Sequence, residues 1–124
     1  MDSLDFLGKE VDVIIDRPLG SKHPKFGFEY MVNYGYIPNT ISGDSEELDA
    51  YVLLVDKPLK QFIGICIGVV KRNEENDDKL IVIPKGKTIS KKEIEEAIAF
   101  QERWFTHHIT LVKEHINNSI NFIR

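Results

Sequence analysis

Gln61-Phe62-Ile63-Gly64-Ile65-Cys66-Ile67-Gly68-Val69-Val70-Lys71 is the stretch on which the fold turns. Its β-branched and apolar residues read as a strand, and two glycines four positions apart suggest the sharp coiling of a barrel corner. The nearly apolar part, Phe62 to Val70, is nine residues long. A membrane helix needs roughly 18–20, so this is no bilayer span. Working outward, Val11 to Asp16 reads as a strand running into a loop at Arg17-Pro18-Leu19-Gly20. Phe28 to Ile37 reads as one bent strand or two short ones, interrupted by Gly35 and closed by Pro38. Leu48 to Val55 and Leu80 to Ile83 complete the strand set.

After Pro84 the period changes. Ser90 followed by Glu93 forms a capping box, and Ile94, Ala97, Ile98, Trp104 and Phe105 then fall on one face at helical spacing. Residues 109–122 read equally well as helix or as a last strand. About five strands followed by a helix, with glycine kinks and no alternation of strand and helix, predict a mainly β domain. The architecture expected is a small closed or partly closed antiparallel barrel with a C-terminal helix. An open sheet packed on that helix is the alternative. Residues 1–124 are expected to form one domain.

Charge and cysteine content narrow the function. The chain has 124 residues and a formal charge of −4, which disfavours nucleic acid as a general partner, because that affinity rests on clustered Lys and Arg. The lone cysteine, Cys66, cannot close an internal disulfide and sits in an apolar strand, so it reads as a small buried hydrophobe in a reducing cytoplasm. The first residues, MDSLDFLGKE, carry acids where a secretory leader needs bases, and neither export nor membrane attachment is expected.

The surplus acid is concentrated. Asp44, Glu46, Glu47 and Asp49 form one run, and Glu74, Glu75, Asp77 and Asp78 form another. Eight of the 20 acids thus lie in two short segments without a base, and the rest of the chain is net positive. Converging carboxylates raise one another's pKa unless a cation neutralises them. Hard oxygen donors with no Cys or His nearby suit Mg²⁺, Mn²⁺ or Ca²⁺. The alternatives are a solvated acidic turn for the first run and a charged hairpin tip for the second. Three bases, Arg17, Lys22 and Lys25, share the loop after the first strand.

Asn33-Tyr34-Gly35-Tyr36-Ile37, followed by Asp44-x-Glu46-x-x-Asp49 and later by Asp77-Asp78-Lys79, resembles the signature of the soluble family I inorganic pyrophosphatases. The resemblance covers roughly Val11 to Pro84. It implies an OB-type five-stranded barrel and a cytoplasmic enzyme that hydrolyses pyrophosphate to two orthophosphates with Mg²⁺, or Mn²⁺ in its place. Carried over position by position, it makes Asp44, Asp49 and Asp77 metal carboxylates and Glu46 the acceptor of the attacking water's proton, with Tyr34 beside that base. Lys22 and Lys79 then contact phosphate, with Arg17 and Lys25 as further bases.

The chain also departs from that pattern. Glu46 stands for an aspartate and Glu47 for a proline. Arg72 occupies the place of an additional acid, for which Glu74 or Glu75 is the nearest substitute. Asp12-Val13-Ile14 replaces a K-x-E pattern, and His108-Ile109 aligns approximately with a Tyr-Lys pair. These departures keep a second class of function open: a non-catalytic barrel that binds divalent metal and a phosphorylated ligand. Another phosphoanhydride is a further candidate substrate. Ile116, Ile120, Phe122 and Ile123 could pack internally or in a homo-oligomer.

Overall fold

The computed structural model describes residues 2–40 and 46–114. Strands β1 (Glu10–Arg17), β2 (Asn33–Ile37), β3 (Leu48–Val52), β4 (Gln61–Arg72) and β5 (Lys79–Ile83) precede helix α1 (Lys91–Glu102) and strand β6 (His107–Leu111). The sheet order is β1-β2-β3-β5-β4-β6, and an added β1–β4 pairing closes the first five strands into a barrel. That closure excludes the open sheet.

β4 makes it possible by its length. The start of one edge pairs with β1, from Ile65 opposite Glu10 to Gln61 opposite Ile14, and the far end pairs with β6 from Gly68 to Arg72. Its other edge pairs with β5, with a bulge between Cys66 and Gly68. At Gly64 an added Cβ would stand 2.6 Å from the Ile83 carbonyl oxygen, so the close strand approach there requires glycine. One expectation is corrected: β3 and β5 run parallel, because β5 returns as the hairpin partner of β4 and inserts between β4 and β3.

The strands carry two cores. Val11, Val13 and Ile15 of β1 point into the barrel with Ile37, Leu48, Ala50, Val52, Cys66, Val69, Leu80 and Val82. Alternate residues of the same strands, Tyr34, Tyr51, Val70, Ile81 and Ile83, face outward onto Ile94 and Ile98 of α1. β5 is therefore covered on both faces, and after Lys79 it reads as an unbroken apolar run from Leu80 to Ile83. Gly35 lets β2 approach β1, since a Cβ there would collide with the Ile14 carbonyl. Cys66 is buried, and burial pushes its thiol up to about 12, in keeping with a packing role.

The capping box forms as read. Ser90 Oγ accepts from the Glu93 amide, and Glu93 reaches back to the Ser90 amide. Trp104 and Phe105 do not continue the helix. The Phe105 amide bonds back to the Glu102 carbonyl, the chain turns, and Trp104 is left 57% exposed rather than in the core. The aromatic segment from Phe28 becomes a strand only at Asn33, and the strand from Leu48 stops at Val52, two residues before Leu54 turns to a φ of 67°. Residues 107–111 are a strand; the remainder of the segment read as helix or strand is described only to Glu114. Among the described residues no helix is long and apolar enough to cross a membrane.

Candidate active site

Strand register assembles a polar cluster on the outer, helix-facing side of the barrel. Asp49 of β3 lies opposite Lys79 of β5, and Tyr51, two residues on, lies opposite both Ile81 and Tyr34. Residues two apart share a face of a strand, so Asp49 comes diagonally next to Tyr34. The Tyr34 hydroxyl donates to Asp49 Oδ2 at 2.8 Å. Lys79 Nζ donates to Asp49 Oδ2 at 2.8 Å and to Asp77 Oδ2 at 2.9 Å, although the Lys79 residue is only 2% exposed. Asp78 takes the opposite side, where it meets Ser3 and Lys71. The two adjacent acids just ahead of β5 thus serve different surfaces.

A second layer comes from the ends of β4 and α1. Arg72 Nε and Nη2 donate to the two oxygens of Glu102 at 3.0 and 2.8 Å, while Arg72 Nη1 lies 3.3 Å from Asp77 Oδ2. Its guanidinium stacks 3.7 Å above the Phe105 ring. The Tyr51 hydroxyl donates to Glu102 Oε2 at 2.6 Å and accepts from Gln101 Nε2 at 2.7 Å, and the Tyr30 hydroxyl donates to Gln101 Oε1 at 3.0 Å. Glu102 is fully buried.

These contacts set the protonation states. Burial, helped by the Asp49 carboxylate, raises Tyr34 well above the ordinary phenol range, so it is a hydrogen-bond donor. Burial raises Asp77, with Lys79 opposing, and burial also raises Asp16. At Glu102 burial pushes the carboxyl up, but the bonds from Arg72 and Tyr51 outweigh it and the net shift is downward. Arg72 is held charged: burial lowers its pKa, Glu102 raises it more, and the net shift is upward.

The cluster forms one wall of a cavity of about 750 Å³ whose lining includes Asp16, Arg17, Tyr34, Asp49, Arg72, Asp77, Lys79 and Arg103. Three acids and four bases share this lining, and among the bases Lys79 and Arg72 are paired to carboxylates. Of the residues singled out from sequence, Tyr34, Asp49, Asp77, Lys79 and Arg17 meet here. Lys22, which bridges through its backbone to Glu29, and Lys25 are not among the lining residues. Glu46 is exposed and also outside the lining. Glu74 lines a separate depression with Lys71, Asn73 and His108. Asp44 lies outside the described residues.

Glu102, Gln101 and Asp16 were missed by sequence reasoning. Glu102 did leave a signal: it stands four residues after Ile98 and eight after Ile94, so helical spacing puts a carboxylate on the apolar stripe.

Asp49 and Asp77 give the cavity two hard oxygen donors. Mg²⁺ takes one or two carboxylates and leaves its other positions to water and phosphate, and Asp49 and Asp77 are such a pair. They do not make a protein cage. Among the described residues no three His, Cys, Asp or Glu side chains converge as metal ligands, and the two carboxylates meet on the Lys79 ammonium instead.

The molecule is thus a closed five-stranded barrel with an acid- and base-lined cavity between its outer face and the helix that follows the barrel strands. Residues 10–121 match the family model described as inorganic pyrophosphatase, and the chain belongs to that family. It is 30% identical over 105 residues to an inorganic pyrophosphatase of Xylella fastidiosa, a match covering 68% of this chain and 59% of the relative. It is 29% identical over 99 residues to one of Rickettsia prowazekii, covering 63% and 58%. The chain thus spans about three-fifths of the length of these curated relatives. Among solved structures, inorganic pyrophosphatases from Ehrlichia chaffeensis and Coxiella burnetii superpose with TM-scores of 0.67 and 0.62 at 19% and 18% identity. Each match covers 86% of this chain and 88% of the other, and at that identity the likeness speaks for the fold.

Proposed function

We propose that this chain hydrolyses pyrophosphate, or a closely related small phosphoanhydride, with Mg²⁺ as cofactor. The observation that carries the reading is the convergence of Asp49, Asp77, Lys79 and Tyr34 in one cavity with Arg17. Hydrolysis of a polyanion needs its charge neutralised, a water oriented for in-line attack and a positive group on the leaving phosphate. Lys79 and Arg17 supply fixed positive charge. Asp49 and Asp77 would hold the cation, together with Asp44 from the first acid run, and the ion would supply positive charge against the phosphates. Tyr34 holds Asp49 in orientation through its donated hydrogen bond. Glu46, a member of that same run, is the proposed acceptor of the water's proton. A cytoplasmic location goes with this reading.

The test is orthophosphate release from pyrophosphate with Mg²⁺, compared across wild type, Asp49→Asn and Glu46→Gln. Wild-type turnover no faster than that of either variant would sink the proposal. One observation favours a second reading, anion binding without turnover. Arg72, at the position where the resemblance has an acid, is pinned between Asp77 and Glu102 and contributes a fixed cation instead of a ligand. Calorimetry showing tight pyrophosphate binding with no orthophosphate produced would establish it.

A further inference from the structure

The cavity has more room than two phosphates need, and its remaining wall is aromatic. His23, Phe26, Phe28, Trp104 and Phe105 line it together with the charged floor. At 70% and 57% exposure, Phe26 and Trp104 are two of the most exposed large apolar side chains among the described residues, and both open into this space. The rings form a connected platform. His23 lies 5.0 Å from Phe26 and 4.8 Å from Phe28, centroid to centroid, and Phe28 lies 5.4 Å from Trp104. Burial and the charges of Arg17 and Lys25 lower the pKa of His23, which favours a neutral ring in that stack.

The platform runs into the phosphate floor. Phe28 is 5.5 Å from Tyr30, Tyr30 is 5.4 Å from Tyr34, and Tyr34 is 5.7 Å from the Lys79 ammonium. At the rim the Arg103 guanidinium lies 4.5 Å above the Trp104 ring. A bare pyrophosphate ion has nothing to place on such a surface. A flat base with a phosphate chain does: every base has a π-face that stacks on an aromatic ring, and its anionic chain seeks the ammonium and guanidinium groups. Scattered exposed apolar residues are ordinary, but rings sharing a cavity with four cations and three carboxylates are a combined site.

We infer that the cavity takes a nucleoside 5′-diphosphate, with its base on the Phe26, Phe28 and Trp104 rim and its phosphates toward Arg17, Arg72 and Lys79. The inference rests on the phosphate-binding floor of the proposed function and adds the group esterified to the phosphate. Trp104 is the chain's one tryptophan, so its fluorescence reports the rim directly. The experiment titrates the full chain with ADP and, separately, with pyrophosphate in Mg²⁺ buffer, by fluorescence and by calorimetry. ADP is expected to quench Trp104 and to bind about tenfold more tightly than pyrophosphate. Phe26→Ala, and Phe26→Leu as a variant that keeps apolar bulk, should cut the ADP-to-pyrophosphate affinity ratio about tenfold. Equal affinities, or variants that leave the ratio unchanged, would overturn the inference while leaving pyrophosphate binding intact. Binding of neither ligand would overturn both this inference and the reading beneath it.

Discussion

Replacing Glu102 by Gln tests whether the buried network behind the cavity holds the helix to the barrel. Glu102 is fully buried and receives three hydrogen bonds, from Arg72 at 3.0 and 2.8 Å and from Tyr51 at 2.6 Å. Removing one partner of a buried ion pair costs ~3–5 kcal/mol, because the other charge is left without compensation. Here Arg72 keeps Asp77 and Glu75, each 3.3 Å away, so the lower end applies and the expected loss is about 3 kcal/mol. At roughly 4 °C per kcal/mol for a chain of this size, Tm should fall by on the order of 10 °C.

Urea unfolding followed by circular dichroism measures the loss at neutral pH, and a parallel series in acid tests its electrostatic origin. Because the folded pKa of Glu102 lies below its ordinary value of 4.5, its stabilisation is complete above that value and fades as pH falls through the folded pKa. The variant should therefore show a flatter acid limb. Arg72→Met combined with Glu102→Gln should recover part of the loss, giving a favourable coupling energy between the sites. A loss under about 1 kcal/mol with no change in acid sensitivity would refute the argument that the pair is buried and mutually compensating.

Three other outcomes follow from particular contacts. Gly35→Ala drives a methyl into the backbone carbonyl of Ile14, where no flexible side chain can yield, and should cost at least ~2 kcal/mol in thermal unfolding. Tyr34→Phe removes the donor to Asp49 and should slow pyrophosphate turnover about tenfold, the worth of a hydrogen bond to a charged acceptor, with the fold retained by circular dichroism. His107 is half-buried and bonds to Glu95 and to the Phe105 carbonyl; burial lowers its pKa, those bonds raise it more, and the net shift is upward from 6.5. Its stabilisation is complete below 6.5 and lost as pH rises through the folded value, so His107→Gln should flatten the stability profile over that window.

The strands, the glycine kinks and the helix cap were legible because each rests on local chemistry: β-branched runs, close backbone approach at Gly64 and the Ser90–Glu93 box. Strand ends were less legible. No local pattern marks the left-handed turn at Leu54, and helical spacing continues to Trp104 and Phe105, past the stop after Glu102. The same division runs through the site. Asp49 and Asp77 stand out as members of the two acid runs and Lys79 through the family resemblance, whereas the bonds linking them follow from a parallel β3–β5 pairing that no local pattern announces.

Read alone, the chain yields an inventory: a barrel-forming strand set, two concentrated acid runs in a basic frame, and family motifs that place it with the inorganic pyrophosphatases. The folded chain sets which residues meet. It sends Asp77 and Asp78 to opposite surfaces, brings Glu102 from the helix end onto Arg72, and sets the aromatic segment after the first strand beside Trp104. Periodicity can give the face a side chain takes, but the identity of its partner depends on strand register and on the path the chain takes to close the barrel.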